Sequence, residues 1–539
     1  MFPDKVGKYL RGILVFPVFV ALLAWLPDFA LAQKVTRVNL EKANVMRLVS
    51  EGGKSVQRLI GDVVLRQDST YFYSDSAALD ENNNFSAVGN IHIVSNDSVH
   101  LYGKYLKYSG NTRIAVLDSN VILVDPRATL YTDHLEFDRN KGIAYYFTGG
   151  RIVDGDNVLT SIIGRYFTDE YMFLFQDSVV ATSPDYTMYA DSLKYNTETE
   201  IVYLTGPTDI YGEKDHIYSE KGWYDTRDDR SELTLNNQIT HEDQILRGDW
   251  IYYDREREYG KALGNIWLKD TLQNVILEGE VSEFFRKDRH SYITDSARAI
   301  LIEERDSLFM HADSFLMVMD SADKAKLIFA YHHMKFYRSD MQGKCDSLVY
   351  KVNDSLITML GNPVVWSDEN QLTSDSIWMH ISENRVDSMV MFNMAFIISR
   401  DSTETYNQIK GKQMRAYFFE NRLYMIKVFG NAETVYYIRE DNNDLIGINS
   451  SISSDMVILV NNNKINQIIY LNKPDAVLYP EEQFPNDKKF LKDFKWIEDQ
   501  RPMDKSGIYI WKEESETETI PDSKSEPDPK SDTESESED

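Results

Sequence analysis

The chain has 539 residues, a formal net charge of −28 and 42% hydrophobic residues. So negative a charge argues against binding nucleic acid and against attraction to an anionic surface by charge alone. The single cysteine, Cys345, excludes an internal disulfide and a cysteine-based metal site, and its thiol is predicted to be a small core residue.

The N-terminus has the three parts of a secretory signal peptide. Basic residues such as Lys5 and Arg11 precede an apolar run over 13–26, and a small-residue triplet follows at 30–32. This pattern predicts export, with a signal peptide over 1–32 and a mature chain that begins at Gln33. An uncleaved anchor is the alternative, which the short apolar run disfavours because a span needs about 20 residues.

No linker rich in Pro, Gly or Ser interrupts the middle of the chain, which predicts one repetitive body. We divide this body into repeats over 33–290 and continuing repeats over 291–480. A C-terminal segment over 481–512 contains a predicted short helix from 486 to 498. The acidic remainder, 513–539, has almost no apolar residues and is predicted to be a disordered tail that is dispensable for the fold.

The body repeats a polar residue, often Asp, with apolar or aromatic residues two and four positions later. These polar anchors fall 29 residues apart or a multiple of it at Asp75, Lys104, Asp133, Glu220 and Asp249. A second motif, Gly-Asn, lies between them, and both of its residues tolerate the left-handed backbone of a bend. The flanks alternate with period two and are rich in β-branched and aromatic residues, as in strands.

The predicted unit is therefore turn, strand, Gly-Asn bend, strand. Such a unit cannot bury its apolar face alone, so we expect neighbouring units to stack into an all-β solenoid or jellyroll whose interior is lined by alternate residues. The recurring Asp is predicted to be structural, accepting N–H groups at the corner, because a catalytic carboxylate has no reason to recur in every repeat.

No motif in the chain indicates catalysis. Phosphate-binding loops, nucleophile elbows and zinc-protease motifs are missing from the sequence. His332 and His333 are adjacent, so on a strand they would point to opposite faces and could not share a metal. We therefore expect no cofactor, no metal and no enzymatic activity.

This combination of repeat and export signal resembles the OstA-like family, whose best-known members are the lipopolysaccharide bridge LptA and the N-terminal domain of LptD. The resemblance covers roughly residues 45–479. It implies a β-jellyroll shaped as a V-like trough, with lipopolysaccharide acyl chains inside and the sugars outside. It also implies a periplasmic carrier, possible end-to-end self-association through β-strands, and partners among the transport proteins of the inner and outer membranes. The acidic tail and the missing C-terminal barrel depart from the family pattern.

Strict alternation along the strands selects the residues predicted to face this trough and bind lipid. On the strand over 131–138 it places Tyr131, Leu135 and Phe137 inward and Thr132 outward. The same parity selects five further residues: Ile91, Ile93, Tyr189, Leu193 and Tyr195. Two other functions stay open, a structural or adhesive solenoid with a dry core and a polysaccharide-active β-helix enzyme.

Overall fold

The structure is a computed structural model, and it describes most of the chain between residues 36 and 512. The described ranges are 36–95, 99–126, 128–303, 306–322, 324–382, 385–420, 422–440, 442–461 and 464–512. The predicted signal peptide and the predicted acidic tail lie outside the described residues.

Contacts between Cα atoms divide the described residues into two units. Unit 1 runs to Gly155 and also takes in Ile163–Asp169, whereas unit 2 comprises Asp156–Ile162 and the chain from Glu170 onward. Both units consist of antiparallel strands, which confirms the predicted all-β class.

Unit 1 contains eleven of the described strands. They are β1 (Asn39–Lys42), β2 (Val45–Glu51), β3 (Lys54–Gln67), β4 (Thr70–Asp80), β5 (Asn84–Ser95), β6 (Val99–Ser109), β7 (Ile114–Val124), β8 (Thr129–Asp138), β9 (Ile143–Tyr146), β10 (Gly150–Asp154) and β12 (Ile163–Phe167).

Unit 2 contains β11 (Asn157–Ser161) and all described strands from β13 onward. The first group is β13 (Met172–Thr182), β14 (Thr187–Asn196), β15 (Ile201–Leu204), β16 (Thr208–Tyr211), β17 (Asp215–Ser219), β18 (Lys221–Asp225), β19 (Arg230–Leu235), β20 (Asn237–His241), β21 (Gln244–Gly248), β22 (Trp250–Asp254), β23 (Tyr259–Asp270), β24 (Val275–Phe285), β25 (His290–Thr294), β26 (Arg298–Leu301), β27 (Leu308–His311), β28 (Ser314–Met319) and β29 (Ala325–Tyr331). The second group is β30 (Met334–Arg338), β31 (Met341–Cys345), β32 (Ser347–Lys351), β33 (Leu356–Leu360), β34 (Val364–Ser367), β35 (Asn370–Thr373), β36 (Ser376–Ser382), β37 (Arg385–Arg400), β38 (Tyr406–Phe419), β39 (Arg422–Arg439), β40 (Leu445–Asn461), β41 (Lys464–Leu471) and β42 (Asp475–Tyr479).

Each unit pairs its strands into two ladders that lie side by side and meet at a line of corners. In unit 2, ladder A pairs residues 172–176 with 192–196 and continues through β15, β18, β19 and β22. Ladder B pairs residues 179–182 with 187–190 and continues through β16, β17, β20 and β21. The register shifts wherever a strand crosses from one ladder to the other, as at Gln176/Val179.

Two consecutive residues with positive φ form most of these corners. Gly89 (φ 81°) and Asn90 (φ 42°) are one such pair, and the chain repeats the pattern at 61–62, 119–120, 177–178, 264–265, 295–296, 332–333, 361–362, 393–394, 430–431 and 472–473. Each pair inserts an extra residue into its strand, which is the geometry of a β-bulge and turns the strand.

The polar anchor of the neighbouring strand packs against such a pair. Asn90 Nδ2 donates to both carboxylate oxygens of Asp75, at 3.1 and 3.0 Å. Asn265 Nδ2 donates to Asp249 Oδ2 at 2.8 Å in the same way. At these two corners the carboxylate accepts hydrogen bonds from an asparagine side chain, whereas we expected backbone N–H groups as the donors. Its role at the corner is structural, as predicted.

The C-terminal segment contains no helix from 486 to 498, so that prediction is wrong. Residues 480–512, which we call the strap, contain four 3-10 turns of three residues each: Glu481–Gln483, Asn486–Lys488, Glu498–Gln500 and Gly507–Tyr509. The aromatic residues that suggested one helical stripe instead pack against a strand, with the rings of Phe494 and Trp496 at 5.2 and 5.3 Å from the ring of Tyr406. Tertiary packing therefore explains their spacing.

The corner contact predicts unequal effects for two glycine substitutions. A Cβ atom on Gly89 would lie 2.2 Å from Asp75 Oδ2, whereas a Cβ on Gly149 (φ 93°) would meet nothing within 4 Å. Gly149→Ala should cost about 1 kcal/mol in the free energy of unfolding for its left-handed backbone alone. Gly89→Ala should cost about 3 kcal/mol because it adds a clash.

Urea unfolding of both variants measures this difference. Adding Asp75→Ala should restore part of the stability that Gly89→Ala loses. Equal costs for the two glycine variants would contradict the corner geometry.

Cys345 is a core residue, as predicted, and it is 1% exposed. Burial raises the pKa of its thiol to about 12. Since the thiolate is the reactive form, the native protein should not react with a thiol reagent at pH 8 on the time scale of minutes, and denaturant should release one reactive thiol. A rapid reaction of the folded protein would contradict this assignment.

Candidate functional site

The corners place alternate residues of each ladder in the angle between the two ladders. Counted from the second residue of a corner pair, the first and third following residues face this interior. After Asn90 they are Ile91 and Ile93, which are 2% and 0% exposed. The residue between them, His92, stacks with Tyr102 on the outer face at 4.5 Å between ring centroids.

The interior of unit 1 is closely packed. Leu135 and Phe137, which were predicted to face inward, are 0% and 4% exposed, and the corresponding Leu101 and Leu117 are both 0% exposed. Side chains therefore fill the angle between the ladders in this unit, as in an ordinary protein core.

Two of the predicted inward residues lie outside, and these assignments are wrong. Tyr131 is 42% and Tyr189 is 50% exposed, although Leu193 beyond the same corner as Tyr189 is 0% exposed. Strict alternation fails because the strand bends at the corner, as the register shift between Asp118 and Val121 opposite β8 shows. Thr132, predicted to face outward, is 9% exposed for the same reason.

Between β16 and β24 the interior row of ladder B opens to solvent. Next to the corners, Thr208 is 0% and Ile266 is 2% exposed. One step farther from the corner, a row of directly paired aliphatic residues is partly exposed: Ile210, Ile217, Ile239, Leu246, Leu268 and Leu277. Met310 continues this row on β27 and is also partly exposed.

Ladder A shows the same gradient on the opposite wall. Leu233 and Ile251, next to the corners, are both 3% exposed. The residues farther from the corner are partly exposed, and they include Tyr195, Tyr224, Tyr253, Phe284, Met317 and Ile328. We call the space between these two walls the trough, because its base at the corners is packed and its apolar walls are accessible.

A pair of tyrosines spans the trough near its first strands. The ring of Tyr186, which precedes β14 in ladder B, lies 5.5 Å from the ring of Tyr224 in ladder A, with an interplanar angle of 87°. Burial raises the pKa of Tyr186 to about 12. Burial, together with the hydrogen bond that Tyr224 Oη donates to Asp229 at 2.6 Å, raises the pKa of Tyr224. Both phenols are therefore uncharged at neutral pH, which suits an apolar wall.

The two lips of the trough differ in charge. The ladder A turns at 197–200, 226–230, 255–258 and 286–289 hold seven Lys or Arg and seven Asp or Glu. The ladder B turns at 183–186, 212–215 and 241–244 hold one Lys against five Asp or Glu. In a chain with a net charge of −28, the ladder A lip is therefore the less acidic of the two and the more favourable side for an anionic group.

The ladder A lip is held in place by its own ion pairs. Burial alone would raise the pKa of the Asp225 carboxyl, but backbone N–H groups of the turn and the Arg230 guanidinium at 3.0 Å hold that pKa below its usual value. Arg255 and Arg257 remain largely exposed, with 62% and 80% of their side chains accessible.

The described residues contain no group of three or more His, Cys, Asp or Glu side chains placed to hold a metal ion. His332 and His333 form a corner pair, whereas the sequence analysis placed them on a strand. They contact different carboxylates, His332 that of Asp346 at 3.2 Å and His333 that of Asp313 at 2.9 Å. A polar cavity of about 470 Å³ lies beside the corners of ladder B and includes His216 and Arg247. In the part of the chain that the structure describes, no helix is long and apolar enough to cross a membrane.

Comparison with known proteins finds two matching segments. Residues 35–191 match the family model described as OstA-like protein, and residues 304–385 match the model described as LptA/(LptD N-terminal domain) LPS transport protein. The resemblance predicted from the repeat is confirmed for these two segments, and the accessible row over 210–277 lies between them in the sequence.

A solved structure also aligns with the chain. It is LptH from Pseudomonas aeruginosa, described as the LptA homologous periplasmic component of a lipopolysaccharide transport device, with 14% identity, 26% of this chain and 99% of that chain covered, and a TM-score of 0.21. No curated protein matches the chain.

Sequence reasoning missed the residues that line the accessible part of the trough. The signal that would have found them is the count from each corner, since Ile266 and Leu268 are the first and third residues after Asn265. Their exposure had no sequence signal, because the packed Ile91 and Ile93 occupy the same positions after Asn90.

A matched pair of substitutions tests whether the trough is open. Leu193→Asp buries a carboxylate among packed side chains and should cost more than 3 kcal/mol in the free energy of unfolding. Leu246→Asp places the carboxylate on a partly exposed wall and should cost about 1 kcal/mol. Urea unfolding measures both, and equal costs would mean that the interior at Leu246 is closed.

Proposed function

We propose that this protein is a periplasmic carrier that holds the acyl chains of lipopolysaccharide, or of a related glycolipid, in the trough of unit 2 during transport to the outer membrane. The observation that carries the proposal is the continuous row of partly exposed aliphatic residues from Ile210 to Leu277. A soluble protein seldom exposes so long an apolar row unless the row binds something. The OstA-like segments on either side of the row support a lipopolysaccharide as the cargo.

The dimensions and chemistry of the trough suit acyl chains. Six paired strands about 4.8 Å apart make a row roughly 24 Å long, which is comparable with an extended acyl chain. Each CH₂ group moved from water to the walls contributes about 0.8 kcal/mol. A uniform row of Ile and Leu contains no polar anchor, so a chain can slide along it without leaving a specific site.

The charged lips give the cargo an orientation. With the acyl chains between the ladders, the phosphorylated head group of a glycolipid would lie at the mouth, on the lip of ladder A. Exposed guanidinium groups such as Arg255 and Arg257 suit phosphate oxygens. The acidic lip of ladder B would repel the same group. Nothing in this arrangement requires a catalytic step, so the proposed role is that of a carrier and not of an enzyme.

Two adjacent residues provide a sharp test of this function. Leu246 and Ile245 are both aliphatic and partly exposed, but Leu246 faces the trough and Ile245 faces outward on the same strand. A photo-crosslinking amino acid at position 246 should capture lipopolysaccharide in cells, and the same residue at 245 should not.

The outcome also distinguishes a lipid carrier from a structural solenoid. Equal capture at the two positions would show that binding does not use the trough. No capture at either position would favour the alternative, a structural or adhesive solenoid of the envelope without lipid cargo.

A further inference from the structure

The trough ends where the strap begins to cover the outer face of ladder B. From β30 onward the interior row of ladder B is buried, with Phe336 at 6%, Val365 at 0% and Ile397 at 3% exposure. Here a strand can also be buried on both of its faces, since all five residues of β31 are buried. Burial on both faces requires a layer on each side, and the strap supplies the outer layer.

Two buried glutamines hold the strap as a neighbouring strand would. Gln371 Nε2 donates to the carbonyl oxygen of Lys495 at 2.7 Å, and its Oε1 accepts from the N–H of Ile497 at 2.9 Å. Gln408 repeats the arrangement with the carbonyl of Lys489 and the N–H of Leu491, both at 2.8 Å. Both glutamines lie in one row across ladder B, through Ile398.

Further contacts extend the strap to β27. Arg501 Nε donates to Gln342 Oε1 at 2.7 Å, and Lys335 Nζ donates to the carbonyl oxygen of Gln500 at 3.0 Å. At the end of the strap the ring of Tyr509 lies 4.7 Å from the ring of His311. Apolar side chains of the strap add to these contacts, since Phe484 and Leu491 pack against the buried Val435, Tyr437 and Ile448.

The interior beneath the strap is rich in methionine. Met334, Met341, Met359, Met379, Met389, Met391, Met414 and Met456 are all buried there, with exposures between 0% and 4%. In the described residues of unit 1 the sole methionine is Met46, which is exposed at the surface. Methionine side chains are flexible and polarizable, and they are frequent where a surface must adapt to different apolar ligands.

We propose that the methionine-lined interior from β30 to β40 is a second acyl-chain binding segment, which the docked strap keeps closed. Pressure of the strap on the outer face of ladder B holds that ladder against ladder A. Release of the strap lets the ladders separate, the methionines rearrange, and the lipid continues from the trough into this segment. The proposal rests on the function proposed above.

Photo-methionine, a diazirine analogue that replaces methionine throughout the full-length chain, reports on both segments without a change of sequence. Met310 and Met317 line the accessible trough, whereas Met379, Met391 and Met414 line the closed segment. Exposed Met394 and Met503, at 53% and 71%, report background insertion. After illumination with purified lipopolysaccharide, mass spectrometry locates the adducts.

The double variant Gln371→Leu, Gln408→Leu removes four of the hydrogen bonds that hold the strap and replaces each amide by an apolar side chain of similar size. Hydrogen exchange of the Gln500 and Tyr509 amides, whose acceptors lie within the strap itself and are unchanged in the variant, should accelerate roughly tenfold or more, which verifies release. Gln238→Leu is the matched control, since Gln238 accepts from Arg247 on the outer face of β20, away from the strap.

In the unmodified sequence and in Gln238→Leu we expect adducts above the background level at Met310 and Met317, and none above it at Met379, Met391 and Met414. In the double variant we expect adducts at Met379, Met391 and Met414 as well. Adducts at these three residues with the strap docked would contradict the proposal that the strap keeps the segment closed. Their absence after verified release would contradict the proposal that this segment binds acyl chains. Absence of adducts at Met310 and Met317 in every protein would instead reject the proposed carrier function, and the second segment with it.

Discussion

The structure depends on the contact between a pair of residues with left-handed backbone and a polar side chain on the neighbouring strand. Gly89 lacks a Cβ atom where Asp75 needs the space, and Asn90 donates to that same carboxylate. The bulge turns the strand from ladder A to ladder B, so each repeat has two walls and an angle between them. Since every repeat turns at its own corner, the angles align from strand to strand and produce one interior in each unit.

How far this interior is filled then decides what each part of the chain can do. In unit 1 residues such as Leu101 and Leu117 fill the angle and provide stability. In unit 2 the base of the angle is packed, but the row from Ile210 to Leu277 is accessible. The same repeat is therefore packed core in one place and a partly exposed apolar surface in another, without a change of motif.

The strap adds an outer layer that the repeat alone does not contain. Gln371 and Gln408 use side-chain amides to bind a chain segment across a sheet face whose own backbone groups are already paired. Such clamps are specific for an extended backbone but individually weak, with a net contribution of about 1 kcal/mol for each hydrogen bond. A segment held in this way covers ladder B as an added layer and not as a further strand of the sheet.

The sequence by itself determined the strand class, the repeat of about 29 residues, the positions of the corners and the family resemblance, because all of these depend on local patterns of Gly, Asn, Asp and alternating apolar residues. It also predicted the buried positions of Leu135 and Leu193. It placed Tyr131 and Tyr189 on the wrong face because one bulge reverses the alternation, and it read the aromatic residues of the strap as a helix. Only the tertiary structure decided that Ile93 is packed and Leu268 accessible, since the two residues hold equivalent positions after a corner pair. Their burial depends on contacts with residues distant in the chain, which no local pattern encodes.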